Sequence, residues 1–96
     1  MPKGYWVAHV EVHDTAAYEA YRAANAAAFG KYGGRFLVRG GPQEVREGSL
    51  RPRIVVIEFP SLQAAKACYD SPEYARAKAL RDGAAEASLA IVEGYE

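Results

Sequence analysis

The sequence predicts an α+β fold in which helices cover one face of an antiparallel sheet. Apolar residues alternate with a period of two in four segments, and they recur at intervals of three and four residues in two others. Glycine pairs and a Ser-Pro-Glu sequence lie at the ends of these segments, where helices stop or start. The segments follow one another in the order β-α-β-β-α-β, which is the ferredoxin-like arrangement.

The first strand and helix have clear boundaries. β-branched and aromatic residues alternate over Tyr5–Val12, which predicts a strand. Asp14 is suited to cap the following helix, because its carboxylate can accept a hydrogen bond from a free backbone N–H. The helix should end near Tyr32, since Gly33 and Gly34 readily adopt the left-handed conformation. One stripe of this helix is mostly aromatic and should face the sheet: Tyr18, Tyr21, Asn25, Ala28, Phe29 and Tyr32.

The second half of the chain is divided by proline and serine signals. Pro60 ends an apolar strand, and Ser61 can cap a short helix. Asp70 breaks that helix, and Ser71 with Pro72 starts a second piece. The predicted elements are strand Arg35–Arg39, an exposed charged loop Gly41–Pro52, strand Arg53–Phe59, helix Leu62–Tyr69, a helix from Pro72 to about Arg81 and strand Leu89–Val92.

The two faces of the predicted sheet differ in character. The face expected to pack against the helices contains Trp6, Ala8, Val10, Phe36, Val38, Val55, Ile57, Phe59, Ala90 and Val92. The opposite face contains Tyr5, Val7, His9, Glu11, Arg35, Leu37, Arg39, Ile54, Val56, Glu58, Leu89, Ile91 and Glu93. This mixture of aliphatic and charged residues suits contact with a second copy of the chain, so a homodimer is predicted.

Composition limits the possible functions. The 96 residues suffice for one domain, spanning residues 1–96. Twelve basic and twelve acidic residues balance, so the sequence lacks the positive excess typical of nucleic-acid binding. Cys68 is the single cysteine, which excludes a disulfide within the chain. Charges interrupt the apolar residues near the N-terminus, so we expect no signal peptide, no membrane partner and a cytoplasmic location.

Short motifs spread over essentially the whole chain resemble a known bacterial family. They are Gly4-Tyr5-Trp6, Asn25-Ala26, Phe29, Tyr32-Gly33-Gly34, Phe36 to Gly41, Val56 to Ser61, Cys68-Tyr69, Ser71 to Tyr74, and Arg81. The family is domain of unknown function 1330, within the dimeric α/β-barrel superfamily. The resemblance implies a ferredoxin-like protomer whose sheet joins a second sheet into a barrel, and it implies no established activity. Relatives in the superfamily include cofactor-independent monooxygenases, lactone isomerases, haem enzymes and ligand-sensing domains.

Asn25 is the sharpest candidate for a functional residue. It is a polar amide within an aromatic stripe, and a buried amide must find hydrogen-bond partners. These partners come either from a ligand or from a nearby backbone group or tyrosine. Arg39 and Glu58 are expected on one face of adjacent strands as an ion pair. That pair is interpreted either as a dimer contact or as an arginine clamp for a carboxylate, with Glu58 as general base.

The remaining candidates have ordinary structural interpretations beside functional ones. His9 is either an interface residue or a catalyst. Trp6, Phe29 and Tyr69 belong to the core or, with Tyr74, line a cleft with a polar rim. Cys68 is expected to be a buried apolar residue rather than a nucleophile. No cluster of histidines and carboxylates has the sequence spacing of metal ligands, and neither a metal nor a cofactor is expected.

Two hypotheses for the function follow. The first is a small-molecule-binding domain or cofactor-independent enzyme that acts on an aromatic or carboxylate compound. The second is a non-catalytic dimeric module with a structural or regulatory role. A cavity with Asn25 in its wall would favour the first hypothesis, and a tightly packed core at that position would favour the second.

Overall fold

The computed structural model describes residues 2–96, which form four strands and three helices. The elements in chain order are β1 Gly4–Val12, α1 Thr15–Tyr32, β2 Arg35–Arg39, β3 Arg53–Phe59, α2 Leu62–Tyr69, α3 Pro72–Arg81 and β4 Ala85–Glu93. The order confirms the prediction, with its second helical segment in two pieces. The last strand begins at Ala85 rather than at Leu89, because its pairing with β1 continues as far as Val12. Pairing with a central strand outweighs the low strand preference of alanine.

The sheet has the strand order β2-β3-β1-β4, and each neighbouring pair is antiparallel. The helices cover one face and leave the other face open. The molecule is therefore a slab with extents of 37 × 35 × 17 Å. Even-numbered residues of β1 and odd-numbered residues of β3 point toward the helices, as their burial shows.

The predicted helix boundaries are confirmed by their caps. The Asp14 carboxylate accepts a hydrogen bond from the backbone N–H of Ala17 at 3.1 Å. Gly33 ends α1 with a φ of 76°, in the left-handed region. Ser61 and Ser71 accept hydrogen bonds from backbone N–H groups at the starts of α2 and α3. These local signals fix where the helices begin or end.

Trp6 lies at the centre of the core. Its indole N–H donates to the carbonyl oxygen of Ala65 in α2 at 2.9 Å. The nearest of its aromatic neighbours are Tyr74, at a centroid distance of 4.9 Å, and Phe29, at 5.2 Å, both nearly perpendicular to the indole. Phe59 and Tyr69 complete the group at 5.4 and 5.6 Å. Edge-to-face packing of this kind ties the sheet to all three helices.

A β-bulge in β2 exchanges the faces of the side chains that follow it, so the predicted faces of Val38 and Arg39 are wrong. Phe36 pairs with Ile57, but Val38 pairs with Val56 and Arg39 with Val55, which leaves Leu37 as an extra residue. The Arg39 guanidinium consequently lies on the helix side of the sheet, 4.2 Å from the centroid of the Phe36 ring. A strict two-residue alternation cannot anticipate an inserted residue.

The predicted faces of β4 are also reversed. Ile91 pairs with Trp6 and Leu89 with Ala8, so both lie on the helix side, and Glu93 shares their phase. Ala90 and Val92 lie on the open face. Aliphatic residues occupy both phases of this alanine-rich segment, so its pattern alone does not determine the register. The pairing with β1 determines it.

Candidate functional site

A cavity of about 40 Å³ lies between the sheet and helices α1 and α3. By volume it has room for about three water molecules. Trp6 and Tyr74, both fully buried, form part of its floor, and the exposed Arg39 lies at its mouth. The walls are mainly aromatic and aliphatic, as expected for a site that holds the apolar body of a small molecule.

Four arginines line the cavity, each from a different element: Arg22, Arg39, Arg53 and Arg81. They belong to α1, β2, β3 and α3 in that order. The lining residues in the described part of the chain include neither aspartate nor glutamate. Arg22 forms an ion pair with Glu19 at 2.8 Å, whereas Arg39, Arg53 and Arg81 have no ion-pair partner within residues 2–96. These three arginines make the cavity positively charged, although the whole chain has no net charge.

Three of these arginines lie over aromatic rings. Arg39 covers Phe36, the Arg53 guanidinium lies 5.6 Å from the Tyr18 ring, and that of Arg81 lies 5.2 Å from the Tyr21 ring. Such stacking supports a cation without using its N–H groups. The guanidinium forks of Arg39 and Arg53 thus remain available to an anion, whereas Arg81 also makes a long hydrogen bond of 3.5 Å with the Tyr74 hydroxyl.

Several buried polar atoms of the cavity lack partners among residues 2–96. Asn25 is 3% exposed, and its Oδ1 accepts no hydrogen bond within that range. The Nε atoms of Arg22 and Arg53 are likewise buried without an acceptor in the described structure. An unpaired buried polar group costs about 1–3 kcal/mol. Atoms of this kind concentrated in one cavity mark a place where water or a ligand would supply the missing partners.

Tyr21, Tyr74 and Arg81 form a short polar chain in the wall. The two tyrosine hydroxyls are 2.9 Å apart, and Nη2 of Arg81 lies 3.5 Å from the Tyr74 hydroxyl. Burial, reinforced by Tyr21, raises the pKa of Tyr74. Tyr74 is therefore a neutral phenol that can donate or accept a hydrogen bond, and it is not a base near neutral pH.

The structure places four of the seven predicted site residues in the cavity wall: Trp6, Asn25, Phe29 and Arg39. Tyr69 packs against Trp6 and borders an adjoining groove beside β4, which shares Arg81, Ala87 and Leu89 with the cavity. His9 and Glu58 lie on the open face of the sheet.

The predicted ion pair between Arg39 and Glu58 is wrong, because the bulge carries Arg39 to the other face. Glu58 instead pairs with Arg35 at 3.3 Å and with Lys3 at 3.6 Å, and it accepts a hydrogen bond from Tyr5 at 3.2 Å. The Nδ1 atom of His9 accepts a hydrogen bond from the backbone N–H of Arg51 at 2.8 Å. That bond ties the long loop after β2 to the open face.

Sequence reasoning missed three of the four arginines. Arg53 has the same phase as Val55 and Ile57, so the alternation of β3 already places it on the helix side. Arg22 is four residues after Tyr18 and three before Asn25, on the edge of the aromatic stripe. Both signals were present in the sequence. Arg81 gave no comparable signal, because it is the last residue of a helix.

Two other chemically notable groups have structural explanations. Burial raises the pKa of the Cys68 thiol to about 12, so it is protonated and unreactive near neutral pH. Glu11, His13 and Glu86 bring their ligand atoms within 4.8 Å of one another, which the sequence spacing did not reveal because the residues meet across strands. All three are exposed, and His13 lies 3.6 Å from Glu86, as in an ordinary surface pair.

The chain belongs to the family Domain of unknown function (DUF1330), whose model matches residues 3–95. No curated protein matches the chain. Among the helices of residues 2–96, none combines the length and apolar character needed to cross a membrane.

Solved structures share the fold at low sequence identity. A protein of unknown function from Rhodopseudomonas palustris is 19% identical with a TM-score of 0.78, and the match covers 99% of this chain and 84% of that one. A dimeric ferredoxin-like protein of unknown function from Bacteroides fragilis is 14% identical, with a TM-score of 0.63 and 95% of each chain covered. SnoaB, a cofactor-independent oxygenase from Streptomyces nogalater, is 16% identical with a TM-score of 0.64, covering 100% of this chain and 96% of that one.

Proposed function

We propose that this member of the DUF1330 family is a homodimer that binds a small organic acid with an aromatic or other apolar body. The observation that supports the proposal most directly is the set of four arginines, three of them without an ion pair in the described chain, in the cavity that contains the unpaired Oδ1 of Asn25 and no carboxylate from the described residues. Cations gathered in a partly buried site repel one another, and an anion would relieve that repulsion. Guanidinium groups bind carboxylates through two parallel hydrogen bonds, which favours an organic acid.

The shape of the cavity is compatible with a ligand that has an apolar part. Trp6, Phe29 and Tyr74 offer ring edges and faces on the floor, whereas the arginines converge from the walls and the mouth. A phenyl ring exceeds the enclosed 40 Å³, so its binding requires side chains at the mouth to change rotamer. Arg39 and Arg53 can do so, because neither forms an ion pair within residues 2–96.

Fluorescence of Trp6, the single tryptophan of the sequence, provides a direct test. Phenylacetate should bind at least about tenfold more tightly than its neutral isostere 2-phenylacetamide, because charge-assisted hydrogen bonds contribute about 1.5–3 kcal/mol. Arg53→Gln should reduce this preference, because it removes one of the guanidinium groups that line the cavity. Arg46→Gln is the matched control, since Arg46 is exposed and pairs with Glu44 in the loop. Equal affinity for acid and amide, or binding of neither, would contradict the proposal.

Oxidation of the bound compound by dioxygen is a second candidate. It is suggested by the activity named for the Streptomyces nogalater relative and by the arginines, which would stabilise a phenolate, the form that most readily gives electrons to dioxygen. The test is to measure dioxygen consumption with each hydroxylated aromatic acid that binds. Consumption no faster than with the Arg53→Gln variant would count against this candidate.

The open face of the sheet supports the proposed homodimer. Val7 and Val92 are 42% and 47% exposed there, and they adjoin Val38, Val56 and Ala90. Charged groups lie at the ends of this apolar patch, as in an interface with an apolar centre and a polar rim. Contact with a second copy would cover the patch, which is an unusual surface for a monomer.

Sedimentation velocity tests the homodimer at micromolar concentration. The wild-type chain should sediment as a dimer and Val7→Lys as a monomer, because each dimer would then bury two unpaired ammonium groups. Leu80→Lys is the control, since Leu80 has a similar exposure of 47% but lies on α3, on the helical side. A monomeric wild-type chain, or a dimer disrupted by Leu80→Lys alone, would refute the arrangement.

A further inference from the structure

The unpaired acceptor in the cavity, Oδ1 of Asn25, restricts which ligands can satisfy it. Asn25 is the buried polar residue within the aromatic stripe of α1, and its Oδ1 has no donor among residues 2–96. Neighbouring arginines have N–H groups to spare, but none of those in the described structure reaches this oxygen. A ligand that satisfies Asn25 must therefore present a hydrogen-bond donor to it.

The other unsatisfied groups of the cavity are donors. The Nε–H groups of Arg22 and Arg53 are buried without acceptors in the described chain. Tyr21 and Tyr74 share one hydrogen bond, so one of their two protons remains unused. Arg81 cannot accept a hydrogen bond from that hydroxyl, because a guanidinium group contains donors only. Donors thus outnumber the acceptor, and the complementary ligand has several acceptor atoms and one donor.

We infer that the ligand is a hydroxy acid, whose carboxylate meets the arginines and whose hydroxyl donates to Oδ1 of Asn25. This inference rests on the proposed function, because it assumes an organic acid in the cavity. A neutral hydroxyl fits better than an ammonium group, which would carry positive charge toward four guanidinium groups. The cavity should accordingly prefer a hydroxy acid to the amino acid of the same skeleton.

Compounds that differ in one group test the inference by Trp6 fluorescence. Phenylacetate carries a hydrogen where mandelate has a hydroxyl and phenylglycine an ammonium group, and 4-hydroxyphenylacetate carries its hydroxyl on the ring. At least one of the two hydroxy acids should bind about tenfold more tightly than phenylacetate, and phenylglycine should bind more weakly than phenylacetate. If neither hydroxy acid exceeds phenylacetate, or if phenylglycine binds best, the inference is wrong.

The variant Asn25→Leu tests whether Asn25 is the residue that produces the preference for a hydroxy acid. In this variant the hydroxy acid should lose its tenfold advantage over phenylacetate, with both affinities measured on the variant itself. A variant that folds, as circular dichroism shows, and keeps the full gain would overturn the role of Asn25. The wild-type comparison stands even if the variant does not fold. Failure of all the acids to bind contradicts the proposed function itself, whereas phenylacetate binding without a hydroxyl preference contradicts only the inference.

Discussion

Replacing Trp6 with alanine should lower the free energy of unfolding by about 3–5 kcal/mol. The indole lies 2% exposed at the point where β1 meets three helices, so its loss leaves a cavity that the surrounding rings cannot close. It also leaves the carbonyl oxygen of Ala65 without the hydrogen bond from the indole. Small domains have total stabilities of about 5–15 kcal/mol, so this single change removes a large fraction.

Urea denaturation followed by far-ultraviolet circular dichroism measures this effect without relying on tryptophan fluorescence. Trp6→Phe is the control, because it keeps an aromatic ring and loses the indole N–H. Its cost should fall below that of Trp6→Ala. A loss of less than about 1.5 kcal/mol for alanine would show that Trp6 is not the centre of the core.

Gly4→Ala should destabilise the fold by about 2–3 kcal/mol or more, because a side chain does not fit there. A Cβ at this position would overlap the carbonyl oxygen of Ser61 and lie 2.7 Å from Cα of Leu62. The contacted atoms belong to the backbone at the start of α2, and Gly4 itself pairs with both Phe59 and Glu93. Neither side can move without breaking a strand pairing or a helix cap.

Gly30→Ala provides a control with the opposite expected sign. Gly30 lies inside α1, and a Cβ there would meet no atom within 4 Å. Alanine in a helix interior is favoured over glycine by about 0.5–1 kcal/mol. Thermal unfolding should therefore show a lower midpoint for Gly4→Ala and a higher one for Gly30→Ala. A Gly4→Ala midpoint equal to that of the wild type would refute the close packing of β1 against α2.

The helix boundaries were predictable because they depend on local chemistry. Each helix cap acts on backbone groups within four residues of its own position. Three caps, Asp14, Ser61 and Ser71, accept hydrogen bonds from free backbone N–H groups, and Gly33 adopts the left-handed conformation that ends a helix. Asn25 was identifiable for a related reason, since a polar residue in an aromatic stripe is conspicuous at helical spacing. Signals of this range do not depend on the rest of the fold.

The errors concern side-chain direction, which depends on partners far along the chain. The faces of β4 follow from its pairing with β1, about 80 residues earlier in the sequence. The arginines of the cavity are equally scattered, since Arg22 and Arg81 lie on helices that meet only in the folded protein. The spacing of residues within one segment does not show which other segment it will contact in the folded protein. For this reason only part of the site was predicted.

The extra residue in β2 decides which side of the sheet receives the positive charge of Arg39. A strand of the same length without the bulge would pair Arg39 with Ile54 and turn its guanidinium from the cavity to the open face of the sheet. A relative with a regular strand of equal length would therefore present the residue aligned with Arg39 to the open face, even where the aligned residues are identical. The pairing register of this strand is thus as informative as residue identity when specificity is compared across the family.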